Sequence, residues 1–251
     1  MAATTDDTAE HTDASDPSPA PPGRRPGRIA RTVSVIGELL ITAGLLLALF
    51  VVYSLWWTNV IADRKADRQA DKVRQHWART TDSGPGALDT KDGIGFLHVP
   101  SMKNGVVLVE KGTGTDVLND GVAGYYLDPV KATLPTTGKT GNFALAAHRD
   151  GHGAKFHNID KVKKGDPIVF ETRDDWYVYK VFSILPETSK YNVKVLSAIP
   201  KESGKNKPGH YITLTTCTPV YTSEYRYVVW GELVRVEKVN SKRTPPAELR
   251  G

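Results

Sequence analysis

Between Val33 and Trp57 the chain carries a predominantly apolar run that includes Leu39-Leu40-Ile41, Leu45-Leu46-Leu47 and Leu49-Phe50-Val51-Val52. A helix of about 20 such residues crosses the ~30 Å hydrocarbon core of a bilayer. Trp56 and Trp57 close the run, where amphipathic indoles settle at a membrane interface. The apolar stretch is too long for the core of a signal peptide, and no small-x-small cleavage site follows it. A single-pass anchor over residues 33–57 is therefore expected, in preference to a removed signal. Glu38 stands at its start, where a carboxylate at the interface costs little. The flank before the run holds Arg24, Arg25, Arg28 and Arg31, whereas Asp63 to Arg68 after it mixes signs. That asymmetry favours a cytoplasmic N-terminus and an extracellular remainder.

The anchor divides the rest of the 251 residues. Residues 1–32 read as a disordered cytoplasmic tail: up to Pro26 they are rich in Ala, Thr, Asp, Ser and Pro, with too little apolar surface to offset the entropy of ordering. Residues 58–90 read as a juxtamembrane stalk and linker. Val73 and Trp77 lie at the spacing of a short helix, and Thr80 to Gly86 as a flexible connection. Residues 91–240 are left for the folded domain and 241–251 for a C-terminal tail. The formal net charge of +5 resides largely in the basic run ahead of the anchor, a topology signal. With no aromatic-plus-basic pattern elsewhere, nucleic acid is not expected as a partner.

Beyond Leu88 the pattern is one of short β-rich runs punctuated by Gly, Pro, Asn and Asp. Gly95 to Val99, Val106 to Val109, Asn142 to Ala147, Pro167 to Phe170, Trp176 to Phe182, Tyr211 to Thr216 and Arg226 to Val236 are examples. Short helices fit only at 114–119, 155–161 and 195–199. About eight strands in this length predict a mainly β domain, a closed or nearly closed eight-stranded barrel.

Cys217 is the single cysteine, so no intramolecular disulfide is available to it, and it ends the run from His210. A free thiol in an exported chain either has a chemical task or is a small buried hydrophobe. A nucleophilic task needs a group to support the thiolate and another to support charge on the attacked carbonyl. Among seven histidines, His11 falls in the tail, His76 in the stalk, His98 inside an apolar strand, and His210 at the start of the cysteine run. His148, His152 and His157 remain. His148 is favoured because it follows the apolar Ala144-Leu145-Ala146-Ala147, where a rigid strand meets a loop. Zinc is not expected: Gly151 and Gly153 oppose the helix that would align His148 with His152, and no glutamate follows His148. Lys111 to Thr115 lacks the spacing of a phosphate loop. For charge stabilisation Arg226 stands across a short loop from Cys217, and adjacent antiparallel strands would bring the two together.

Thr213-Leu214-Thr215-Thr216-Cys217 resembles the Thr-Leu-x-Thr-Cys signature of sortases, the cysteine transpeptidases of Gram-positive bacteria. The order His148, Cys217, Arg226 is similar too, although Ala147 stands where sortases usually have glycine before the histidine. Lys155-Phe156-His157-Asn158-Ile159 followed by Gly165-Asp166 resembles the segment after the sortase histidine, and the likeness extends from about Asp92 to Val236. Cys217-Thr218-Pro219, the short loop to Arg226 and Glu38-Leu39-Leu40-Ile41 are most similar to class E. The resemblance implies a sortase-like barrel with Cys217, His148 and Arg226 catalytic. It implies substrate-binding roles for Thr216 and for a groove tyrosine at Tyr125, with Tyr126 as second choice. It further implies cleavage of a Leu-Ala-x-Thr-Gly or Leu-Pro-x-Thr-Gly sorting signal between Thr and Gly, class E being associated with the alanine form. The threonine would then be joined to an amine of a peptidoglycan precursor, anchoring secreted proteins to the cell wall without metal or organic cofactor.

With ordinary pKa values near 8.5 and 6.5, only on the order of 1% of molecules at neutral pH hold thiolate and imidazolium together. Such an enzyme is slow unless its groove shifts those values. Two rival thiol enzymes of the cell wall do not fit. L,D-transpeptidases use a Ser-His-Gly-Cys type of motif, and papain-like endopeptidases place cysteine before histidine. The competing class is a non-catalytic, membrane-tethered binding barrel in which Cys217 is structural.

Overall fold

The computed structural model describes residues 27–79 and 93–250. The expected tail up to Pro26 and the linker Thr80 to Gly86 lie outside the described residues. The chain divides into two compact units between Phe50 and Val51. Helix α1 (Arg28–Arg79) runs for 52 residues and takes in the last five residues, 28–32, of the stretch expected to be tail. In the first unit its large apolar side chains, Leu39 to Phe50 among them, are exposed. The apolar run and the charged stretch after it, expected as two helices, are one element. From Leu45 to Arg79 there is no glycine or proline to interrupt it.

The second unit holds the remaining turns of α1 and a closed barrel. Its strands are β1 (Gly95–His98), β2 (Val106–Lys111), β3 (Ala123–Tyr125), β4 (Gly141–Ala146), β5 (Pro167–Glu171), β6 (Asp175–Ser189), β7 (His210–Thr218) and β8 (Tyr225–Lys238). They run around the barrel in the order β1-β2-β3-β4-β7-β8-β6-β5, and β5 pairs with β1 to close it. The β2–β3 and β4–β7 pairs are parallel and the others antiparallel. Alternation sends Leu97, Phe143, Leu145, Phe170, Ile212 and Leu214 into the core, all fully buried. Burying each such side chain contributes about 1.5–3 kcal/mol. β3 is not among the runs that stand out in the sequence, because it is three residues long and centred on glycine. Gly124 is required there: a Cβ would lie 1.9 Å from the carbonyl oxygen of Gly112.

The opposite face of β1 meets α1. Phe96 packs with Val73 and Ala66, takes Trp77 edge-on at 5.3 Å, and lies under the Arg74 guanidinium at 4.6 Å. The short helix expected at 114–119 is α2 (Thr115–Leu118), whereas the stretches at 155–161 and 195–199 hold only the 3-10 turns Ile159–Lys161 and Val193–Leu196. Residues expected as a C-terminal tail pack on the barrel. Arg243 bonds the Glu171 carboxylate at 2.6 Å, and Glu248 pairs with Arg235 at 2.6 Å.

Candidate active site

The parallel pairing of β4 with β7 runs from Gly141 opposite His210 to Ala146 opposite Thr215. His148 and Cys217 each lie two residues beyond that last pair on their own strands' paths. The Thr216 hydroxyl keeps the strands together past the last pair by donating to the Ala147 carbonyl at 2.7 Å. On the other side of β7, Cys217 stands directly opposite Arg226 of β8. Paired positions share a face, so Cys217 and Arg226 line one surface with Thr215, Val228, Thr213 and Trp230. Two of the groups singled out in the sequence thus face each other on the paired strands β7 and β8, and the third lies two residues past the end of β4, which pairs with β7 on its other side.

Cys217 is partly exposed. Arg226 is fixed by its own loop, with Nη1 donating to the carbonyls of Ser223 at 3.1 Å and Tyr225 at 2.9 Å. Both bonds use Nη1, so the fork keeps further donors for a ligand. The His148 Nε2 lies 2.9 Å from the Asn119 Oδ1. An amide oxygen only accepts, so the ring donates from Nε2 and its other nitrogen is left for proton exchange. Burial holds the His148 pKa below the usual histidine value, and the neighbouring His152 lowers it further, against an upward pull from Asp150. The two imidazoles sit with centroids 5.4 Å apart.

The tyrosines separate by face. Tyr125 pairs with Leu145 and turns into the core, where it is 5% exposed. Tyr126 turns the other way and shares a 2.9 Å hydrogen bond with the Thr215 hydroxyl on the thiol's face. Burial raises the Tyr126 pKa above the ordinary phenol value, opposed by the Thr215 bond and by Arg226. The position first expected in the groove is thus a core position, and the second choice is the one beside the thiol. Thr216 likewise faces away from the groove, buried, with its hydroxyl committed to Ala147. Strand alternation next to Cys217 dictates this.

Two neighbours of the site are not evident from the sequence. Asn119 is one. The other is Arg149, which is 6% exposed and lies on the Thr216 side of β7. Its Nη1 donates to the Thr218 hydroxyl at 2.9 Å and the Cys217 carbonyl at 3.5 Å, and its Nη2 to Asp160 at 3.2 Å. The guanidinium also lies over Tyr227 at 5.6 Å. The residue after His148 thereby grips the backbone that carries Cys217. The sole signal in the sequence is an arginine adjoining a strand-end histidine.

The sortase-domain family matches residues 97–234. Sortase SrtE2 of Streptomyces coelicolor is 75% identical over 233 residues, 90% of this chain and 92% of that protein. Sortase SrtE1 of the same organism is 46% identical over 225 residues, 89% of this chain and 63% of the relative. A crystal structure of Sortase E1 from Streptomyces coelicolor with a tripeptide in the active site superposes with a TM-score of 0.59. It is 46% identical and covers 62% of this chain and 96% of that one. A thiol strand paired with the Arg226 strand on one side and with the strand leading to His148 on the other, in a closed eight-stranded barrel, agrees with this kinship, and the chain belongs to the sortase family of cysteine transpeptidases, among class E relatives.

Proposed function

We propose that the protein cleaves a C-terminal sorting signal between Thr and Gly and transfers the Thr to a peptidoglycan-precursor amine, with Cys217, His148 and Arg226 as its catalytic residues. The observation that supports this reading is the register: Cys217 is paired with Arg226 on one side, and on the other β7 pairs with β4, which ends two residues before His148. The Cys217 thiolate attacks the threonine carbonyl, and Arg226 donates to the oxygen on which charge develops. Collapse breaks the Thr–Gly bond, forms a thioester and passes a proton from His148 to the departing glycine amine. The incoming amine attacks the thioester, gives its proton to His148 and releases the thiolate. Asn119 keeps the ring oriented through both transfers.

Tyr126 is the groove tyrosine in this proposal, replacing Tyr125 on grounds of face and burial. A phenol beside the thiol narrows the subsite and favours Leu-Ala-x-Thr-Gly over Leu-Pro-x-Thr-Gly. Sortases are membrane-associated, and the exposed apolar run of α1 is consistent with that. We further propose a single-pass topology over residues 33–57 with residues 1–32 cytoplasmic and the barrel, residues 91–240, outside.

Incubation with each signal peptide, without an amine, should yield a Cys217 thioester detectable by intact-mass spectrometry, more abundant with the alanine peptide. An unmodified protein in both cases, with the thiol still reactive to iodoacetamide, would favour the binding-barrel reading.

A pH prediction follows from the His152 neighbour. Removing a like charge lets the His148 pKa rise, so His152→Ala should move the acid limb of the kcat/KM profile to higher pH. The plateau should rise as well, because more molecules then combine imidazolium with thiolate. Asp150→Asn should move the limb the other way. An unmoved limb in both variants would place the titrating proton elsewhere.

A further inference from the structure

One face of α1, just beyond the apolar run, is occupied by the loop that follows the candidate catalytic histidine. Asn59 Oδ1 accepts from the Gly153 backbone N–H at 3.0 Å, and Asp63 accepts from Lys155 Nζ at 2.8 Å. Ala62, on the same turn, is 3% exposed, and its carbonyl oxygen would lie 3.0 Å from a Cβ at Gly121. Lys65 bonds the Asp120 carboxylate. The helix thus touches two separate segments. One is the loop after His148, and the other contains Asn119, whose amide oxygen accepts a hydrogen bond from the His148 ring.

That loop is strained. Gly151, His152, Gly153 and Ala154 have φ values of 63°, 46°, 78° and 39°, four successive residues in the left-handed region. Glycines adopt this region freely, but His152 and Ala154 are strained there, and such strain persists only where surrounding contacts over-determine it. Within the loop, Ala154 N–H bonds the Gly151 carbonyl at 2.8 Å and Phe156 N–H bonds the His148 carbonyl at 3.0 Å. Elsewhere the loop is tied by Asn104, which donates to the Lys155 carbonyl, by His157 to Arg149 and Ala154, and by the Tyr221 N–H to Asp150. The Gly153 N–H and the Lys155 ammonium are held by α1.

We propose that Asn59, Asp63 and Lys65 are positioning residues for His148, making the helix that leaves the apolar segment a working part of the catalytic scaffold. This rests on the proposed role of His148. The helix holds the loop on one side of the ring and the Asn119 segment on the other. Loosening either lets the imidazole leave the geometry that proton transfer requires, where a displacement of about 1 Å costs up to 10²-fold.

The test uses the full-length chain in membranes or detergent. Asn59→Ala combined with Asp63→Ala should lower kcat by about tenfold or more with KM little changed. It should also speed amide hydrogen exchange in residues 149–157 while leaving β1, β5 and β6 protected. The charge swap Asp63→Lys with Lys155→Asp should recover both readouts relative to either single change. Unchanged exchange in 149–157, unchanged kcat, or a swap no better than the single variants would each overturn the proposal. Exchange reports on the loop whether or not the protein cleaves peptide, and a wild type without peptide cleavage would instead count against the function proposed above.

Discussion

Cys217→Ala leaves the barrel folded and removes acyl transfer from a sorting peptide, with a rate loss of at least about 10⁴-fold. The side chain is only partly buried, so deleting one sulfur opens little cavity, and the change in stability stays within about 1 kcal/mol. No other thiol exists in the chain to substitute for it. The measurement pairs chromatographic detection of the released glycine fragment with a thermal melt of the same sample. Turnover within about tenfold of the parent, with an unchanged melt, would make Cys217 a structural residue and revive the binding-barrel alternative.

Arg226→Ala and Arg226→Lys should each reduce kcat by about 10²–10³-fold, the magnitude expected for removing one preorganised oxyanion donor. Lysine should not rescue. In the native strand Nη1 holds the carbonyls of Ser223 and Tyr225 while other donors of the same plane remain for substrate. A single ammonium offers a point charge without the planar fork, so it cannot keep both tasks in that geometry. If the donation is made chiefly in the transition state, kcat and kcat/KM fall together; a rise in KM alone would make Arg226 a ground-state binding residue. Iodoacetamide labelling of Cys217 in the variants checks that the thiol itself is intact.

Much of this arrangement can be read from the chain because its signals are local. The β-rich runs ending at Cys217 and beginning at Arg226 are long, bounded by turn residues and consecutive, so their antiparallel pairing follows almost from proximity. The eight-stranded barrel and the apolar helix are legible for the same reason. What escapes the sequence depends on distant partners. Tyr125 and Tyr126 are adjacent and chemically identical, and their opposite directions are set by the pairing of Tyr125 with Leu145, a contact of β3 that the sequence does not advertise. Thr216 belongs to the most specific motif in the chain, yet alternation turns it away from Cys217 toward Ala147. Asn119 and Arg149 resemble ordinary surface residues until the fold sets them against His148 and the Cys217 carbonyl. The continuity of α1 across the charged stretch is similarly hidden, because its buried stripe is made of alanines until Val73 and Trp77.

The bond from Thr216 to Ala147 joins positions 69 residues apart, with β5 and β6 lying between them along the chain. On the roles proposed above, Cys217 and His148 meet only after this long detour is closed, since loop closure must come before the contact exists. On that proposal, a chain whose barrel is incomplete is inert toward peptides.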